Sequence, residues 1–324
     1  MRIVITGGAG FLGSKLARAI LARGRLTDAA GAARELRELV LVDVVKPPTL
    51  EDARVRAIGG DLADPALVAR VFASHVDSVF HLAAVVSGEA EQDFDLGWRV
   101  NVDATRSWLE ACRAQHAAPK LVFTSSVAVF GGPLPDVVPD DQVLTPQSSY
   151  GAQKAVGEML VHDYTRKGFV DGRSLRLPTV TVRPGKPNKA ASSFASGIIR
   201  EPLNGVAATC PVAAQTRMWL ISPRAVIGNL LIGHEAPAAS FGPTRAVNVP
   251  GISVTVGEMV DSLRRVSDEE VAARVAWQPD ATIDRIVRTW PRDFDAAFGR
   301  SLGMQADPDF DSIIRQYMAD ELCR

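Results

Sequence analysis

The sequence predicts an α/β protein: a doubly wound parallel sheet of the Rossmann type, followed by a smaller mixed α/β part. Three observations carry that expectation. Short, nearly continuous apolar runs alternate with longer helical patterns, a glycine-rich turn joins the first run to the first helix, and the alternation loosens after about residue 176. Strands buried on both faces of a parallel sheet read as unbroken apolar stretches, and strand–helix repetition builds such a sheet.

The strands are expected at "RIVIT" (2–6), "LVLVD" (39–43), "RVRAI" (54–58), "SVFHL" (78–82) and "KLVFT" (120–124), with helices near 10–23, 65–75, 95–116 and 148–167. Asp64-Pro65 is a helix start, a capping side chain followed by proline at the first helical position. Residues 1–175 read as a cofactor-binding domain and 176–324 as a smaller part that shapes a substrate pocket. "RPGKPNKAASSFASG" reads as a loop, and its "SSFASG" stretch either closes over the pocket or is an ordinary surface connection.

Composition excludes several classes of function. A chain of 324 residues with 47% hydrophobic residues can bury a large core. Lys+Arg 36 against Asp+Glu 37 leaves a net charge of -1, so no global field recruits nucleic acid or an anionic membrane. No window approaches a membrane span of about 18 apolar residues, and the start of the chain is broken by glycines, which suits an unprocessed soluble protein. Cys112, Cys210 and Cys323 are scattered, without CxxC or metal-ligand spacing, and read as reduced thiols of a cytoplasmic protein.

"TGGAGFLG" places Gly7, Gly10 and Gly13 between the first strand and first helix. Gly7 suits the tight turn, Gly10 lets a pyrophosphate approach the backbone, and Gly13 lets helix and strand pack closely; the helix N-terminus offers free N–H groups to phosphates. Phe11 and Leu12 belong to the same expected cofactor site. Asp43 ends the second strand, where a carboxylate accepts ribose hydroxyls and repels a 2′-phosphate, favouring NAD over NADP. Lys46 lies close enough in sequence to weaken that preference. Asp61, with Leu62, closes the third strand and is either an adenine contact or a turn residue. Ala83 and Ala84, in "FHLAA", are small enough for a cofactor to press on the backbone, and His81 before them reads as a satisfied core histidine.

The fifth strand ends in Ser125 and Ser126, and Tyr150 and Lys154 follow four apart on one helix face. Ligands collect at the carboxyl ends of such strands. Beside a nicotinamide, Lys154 and the positive ring would stabilise the Tyr150 phenolate as a general base, with Ser126 holding the same substrate oxygen. No metal is required, because the hydride acceptor is the electrophile. The alternative for the pair is chance spacing on a solvated helix.

These motifs, "TGGAGFLG", "HLAA", "NVDAT", "FTSSVAVFG" and "YGAQK" in that order, resemble those of the extended short-chain dehydrogenase/reductases, the NAD-dependent epimerase/dehydratase family, over nearly the whole chain. The resemblance implies Ser126, Tyr150 and Lys154 as the catalytic set, with Asn101, Ser125 and Pro178 beside the cofactor; on residue type alone, Asn101 is equally a solvated mid-helix residue. Many such proteins act on nucleotide sugars, but the family's usual Asn after the sixth strand is Thr179 here, and its later arginine block is "RMWLISPR". "AAVVSGEAEQDFDLGWRVN", "FGGPLP" and "RPGKPNKAASSFASGIIREPL" are similar instead to a branch that oxidises the C2 hydroxyl of a four-carbon sugar acid with NAD. A small acid needs a cationic anchor, for which Arg183 and Arg217 are the candidates, and Ser87 is a candidate contact for substrate hydroxyls. A nucleotide-sugar epimerase or dehydratase and a non-catalytic NAD(P) sensor are the competing readings; the Tyr/Lys pair weighs against the second. The long apolar-faced helices at 95–116 and 148–167 suit a homodimer.

Overall fold

A computed structural model describes residues 1–48, 50–185 and 192–322, with Thr282 described in its backbone alone. Cys323 and part of the "RPGKPNKAASSFASG" stretch, residues 186–191, lie outside the described residues.

Seven parallel strands form the main sheet: β1 (Arg2–Thr6), β2 (Glu38–Asp43), β3 (Val55–Gly59), β4 (Ser78–His81), β5 (Lys120–Ser126), β6 (Asp171–Leu177) and β7 (Ala246–Asn248). Their spatial order is β3-β2-β1-β4-β5-β6-β7, so the winding reverses between β1 and β4. At such a switch point the connections diverge to opposite faces and leave a crevice. Alternation along β1 supplies both layers of core. Ile3 and Ile5 pack with Leu16 and Ile20 of helix α1 (Phe11–Arg23), while Val4 packs on the other face. That second layer contains helices α2 (Pro65–Val71), α3 (Ala104–Ala114) and α4 (Ser149–Arg166), which bury Leu67, Trp108 and Val161 respectively.

Local chemistry starts these helices where the sequence predicts. Asp64 accepts from Ala66 N at 2.9 Å with Pro65 following, and Ser148 Oγ accepts from Gly151 N at 3.1 Å at the head of α4. The helix expected at 65–75 ends at Val71, however, and the single helix expected at 95–116 is divided. Phe94–Trp98 is α-helical, Arg99–Asp103 makes one wide π turn, and α3 then continues. Such a turn re-aims side chains within a helix, and here Asn101 lies buried within it.

A further difference concerns the second half. Helix α5 (Ser193–Leu203) begins inside the stretch expected to be a loop: its buried Ala195, Ile198 and Ile199 recur at helical spacing in a separate core with Met259, Leu263, Phe310 and Ile314. Thr179–Val180, Arg217–Ile221 and Ile252–Thr255 form a small three-stranded sheet against that core. The chain does not stay there. Helix α6 (Pro223–Glu235) returns to the first face of the main sheet, where Val226 and Leu230 join the α1 layer, and β7 pairs with β6 as the sheet's edge.

Candidate active site

The turn after β1 is shaped by what has no room. Gly7 has φ +75, and a Cβ there would lie 2.9 Å from Ala83 N. A Cβ at Gly13 would lie 2.1 Å from Gly7 O. The α1 N-terminus, β1 and the turn after β4 are therefore pressed together without side chains between them. Gly10 caps α1 with no side chain to take the first amides, leaving N–H groups for an anion. A cavity of about 660 Å³ opens at this point, and Gly7, Gly10 and Gly13 line it together with Phe11 and Leu12.

Asp43, at the end of β2, lines the same cavity. Its Oδ2 accepts from Ala9 N at 3.0 Å and its Oδ1 from Val44 N at 2.8 Å. A carboxylate has about four acceptor positions, so two hydroxyl donors can still be taken. Asp61 and Leu62 are also in the lining. Asp61 accepts from Ala63 N at 2.9 Å and pairs with Arg99; the amide first and the guanidinium second hold its carboxyl below the usual range. It thus serves as a turn residue and borders the cavity at once. Ala83 and Ala84 form the wall beyond β4. This cradle has the narrow glycine turn, the open amides and the terminal carboxylate that a dinucleotide requires.

His81 is a core residue. Thr105 Oγ1 donates to Asn101 O at 2.8 Å, so it accepts from His81 Nε2 at 3.0 Å, leaving Nδ1 to accept from Thr6 Oγ1 at 2.8 Å. Burial first, then the Lys154 charge, pushes its pKa down to about 3.

At the far end of β5, α4 lies tight against the strand and its exit turn. A Cβ at Gly151 would lie 2.1 Å from Ala128 O, and this close approach brings Tyr150 to Ser126. Ser126 Oγ accepts from Ala128 N at 3.1 Å. Lys154 Nζ donates to Thr124 O at 2.8 Å and stands 4.8 Å over the Phe123 ring and 5.7 Å over the Tyr150 ring. The two side chains meet as their spacing predicts, but the phenol is not ionised in advance. Burial pushes the Tyr150 pKa up to about 12, opposed by its hydrogen bond with Ser126 and by the Arg183 charge. Burial also brings Lys154 down to about 7, opposed by Glu158.

The cavity reaches this end through Thr124, Val180 and Arg183; Ser126, Tyr150 and Lys154 stand next to that wall rather than in it. Arg183 is half-buried, and its guanidinium makes no hydrogen bond or ion pair among the described residues. Burial and the nearby Arg200 lower its pKa, and Tyr150 raises it. Arg200, which the sequence reading missed, lines the cavity too and donates from Nη1 to Arg183 O at 2.8 Å. It sits on α5, whose start was read as a loop; the helical spacing of Ala195, Ile198 and Ile199 was the available signal.

Other expected site residues are placed differently. Arg217 is exposed on the small sheet, donating to Ser253 O at 3.2 Å, and is absent from the cavity lining. Ser125 Oγ turns away to donate to Glu158 Oε1 at 2.5 Å, because successive strand residues point to opposite sides. Asn101 bonds both ways to Val85, accepting from N at 2.8 Å and donating to O at 3.1 Å, and donates to Gln153 Oε1 at 2.7 Å. It therefore fixes Val85, which lines the cavity, instead of lining it itself. Ser87 begins a short helix whose Glu89 is in the wall, and neither Ser87 nor Pro178 is.

A search among known proteins supplies the wider setting. The family model described as "NAD dependent epimerase/dehydratase family" matches residues 3–221. The D-erythronate dehydrogenase of Cupriavidus necator is 57% identical over 320 residues, covering 99% of this chain and 98% of that one. The Haemophilus influenzae D-erythronate dehydrogenase is 44% identical, covering 98% and 99%. A crystal structure described as the nucleoside-diphosphate-sugar epimerase from Agrobacterium tumefaciens superposes with a TM-score of 0.94 at 42% identity, covering 100% of this chain and 95% of that one. With the glycine turn, the Tyr150/Lys154 helix and the seven-stranded sheet already in place, the chain belongs to the NAD-dependent epimerase/dehydratase family.

Proposed function

We propose that the protein oxidises the C2 hydroxyl of D-erythronate to 2-oxo-tetronate, with Tyr150 as the general base. It is an NAD-dependent dehydrogenase acting on a CH–OH group. The observation that supports the substrate reading is Tyr150, bonded to Ser126, beside the cavity wall that holds Arg183, whose guanidinium has no partner among the described residues. A base, a hydrogen-bonding hydroxyl and a guanidinium suit a hydroxy acid, and the two relatives named for D-erythronate align with the chain from end to end.

NAD, when bound, supplies the acceptor for the hydride that leaves C2. Gly7, Gly10, Gly13 and Asp43 would hold its phosphates and ribose, and the rest of the work falls to the protein. Tyr150 takes the hydroxyl proton, Ser126 bonds the same oxygen, and Lys154 contributes positive charge beside the phenolate. Arg183 pairs with the substrate carboxylate, a bidentate match available to guanidinium. Of the two arginines considered from sequence, Arg183 is favoured because Arg217 lies outside the cavity lining.

Two tests follow directly. Arg183→Ala should raise KM for the acid at least tenfold and leave NADH affinity within about twofold, while Arg217→Ala should change neither; the loss of a hydrogen bond to a charged group is worth about 1.5–3 kcal/mol. A wild-type KM in the Arg183 variant places the anchor elsewhere. NAD should be preferred to NADP in kcat/KM, because Asp43 puts negative charge against a 2′-phosphate; equal values would remove that role from Asp43.

The Agrobacterium structure's description favours a second reading, action on a nucleotide sugar. Thr179 weakens it, since it stands on the strand paired to Leu220 where related sugar-nucleotide enzymes are expected to carry Asn. Assay of NADH production from a panel of sugar acids and nucleotide sugars decides between the two. Turnover of a nucleotide sugar with no response to any four-carbon acid would overturn the proposal.

A further inference from the structure

Behind the Tyr150/Lys154 face, α4 carries a third ionisable side chain one turn on, Glu158, only 2% exposed. Its carboxylate is held from two strands. Arg176, on β6, donates from Nη2 to Oε2 at 2.7 Å and from Nε to Oε1 at 2.9 Å, and Ser125, on β5, donates to Oε1 at 2.5 Å. The Arg176 guanidinium lies 5.0 Å over the Phe130 ring, and beyond it Asn248 bonds to Asp140 at 3.1 Å. A buried ion pair is a poor way to stabilise a core, because desolvation cancels most of its attraction. Its location invites an electrostatic explanation.

Lys154 needs a counter-charge. Its ammonium has a single protein acceptor among the described residues, Thr124 O, and otherwise faces aromatic rings. Of the charged or titratable groups around it, burial holds Tyr150 and His81 on β4 neutral, and Arg183 and Arg176 are themselves cations. Glu158, buried one turn along the same helix, is the anion whose charge raises the Lys154 pKa, while Arg176 offsets part of it. We propose that Glu158, fixed by Arg176 and Ser125, is a positioning residue that keeps Lys154 as an ammonium and so supplies the charge that Tyr150 needs to ionise. The proposal rests on the reading of Tyr150 and Lys154 given above. It also gives Ser125 a part in the reaction, through the carboxylate it holds.

The test follows Lys154 itself in the cofactor-free protein, by heteronuclear NMR titration of lysine-labelled samples, with Lys154→Met assigning the resonance. Glu158→Gln should lower the Lys154 midpoint by at least about one pH unit, since one nearby opposite charge typically moves a group by about 1–3 units. Glu158→Asp should recover part of that fall. Turnover of Glu158→Gln should then need a higher pH to reach its plateau. An unchanged midpoint in folded Glu158→Gln overturns the proposal. Should that variant not fold, because it leaves Arg176 buried and unpaired, the neutral double variant Glu158→Gln/Arg176→Gln decides: a smaller fall supports the proposal and no fall overturns it. Near-wild-type turnover in Tyr150→Phe would defeat the reading of the site instead, a result the Lys154 titration does not share.

Discussion

Replacing Tyr150 by Phe is expected to lower kcat by about 10²–10⁴-fold, the usual contribution of a general base, while NADH binds as to the wild type. The substitution removes one oxygen from a residue whose ring packs beside Lys154 and whose hydroxyl bonds Ser126. Fold and dinucleotide cradle do not depend on that oxygen, since the cavity's glycine turn and Asp43 lie at the other end. The pH dependence carries the same claim. In the cofactor-free protein burial pushes the phenol up to about 12, so spectroscopic titration should find it neutral throughout the physiological range. On the proposed mechanism the active form is the phenolate, so kcat should rise with pH and level off above the apparent pKa of the ternary complex. That value should fall below the free phenol's value of about 10, because the oxidised cofactor adds positive charge where Lys154 already stands. Near-wild-type turnover in the Phe variant would make the phenol a bystander. A kcat midpoint near 12 would mean that cofactor binding does nothing to ionise it.

Gly13→Ala should cost the protein its cofactor. The added Cβ would lie 2.1 Å from Gly7 O and 3.0 Å from Gly8 Cα, both backbone atoms of the turn. Neither can swing aside as a side chain would, so α1 must retreat from β1 and take its N-terminal amides with it. Overpacking of this kind costs about 1–3 kcal/mol, and NADH affinity should fall at least tenfold by fluorescence titration. Gly10→Ala is a useful contrast: its nearest neighbour would be Gly7 O at 3.1 Å, so the melting temperature should change less. Wild-type NADH affinity in Gly13→Ala would mean that the close approach of helix and turn does not shape the phosphate site.

Much of this is legible along the chain alone. The glycine turn, Asp43 at a strand end and the four-residue spacing of Tyr150 and Lys154 depend on local chemistry, and local chemistry is written along the chain. What escaped depends on direction or on distance in sequence. Ser125 and Ser126 were both assigned to the site, although adjacent residues of a strand cannot face the same way; the alternation itself was the available signal. Glu158 stands at the same spacing from Lys154 as Lys154 does from Tyr150, and that repeat could have marked it. Arg176, its partner, comes from another strand and had no local signature. Arg217 was chosen for its residue type, but a strand of the small sheet carries it to solvent. The π turn at Arg99–Asp103 gave no compositional warning, because the apolar pattern runs on through it.

The edge strand Ala246–Asn248 has a consequence for how the molecule is made. It pairs with β6 across an intervening stretch that supplies two strands of the small sheet and α6. On the ribosome, the nascent chain therefore passes through a stage in which the glycine turn and the Tyr150 helix have emerged but β6 still presents an open edge. Long-range pairing is slow, and unpaired edges invite association with other chains. Asn248 closes that interval and, in the same step, contacts Arg176 at 3.4 Å. Synthesis of the last sheet strand and completion of the polar network behind the active site are thus a single event.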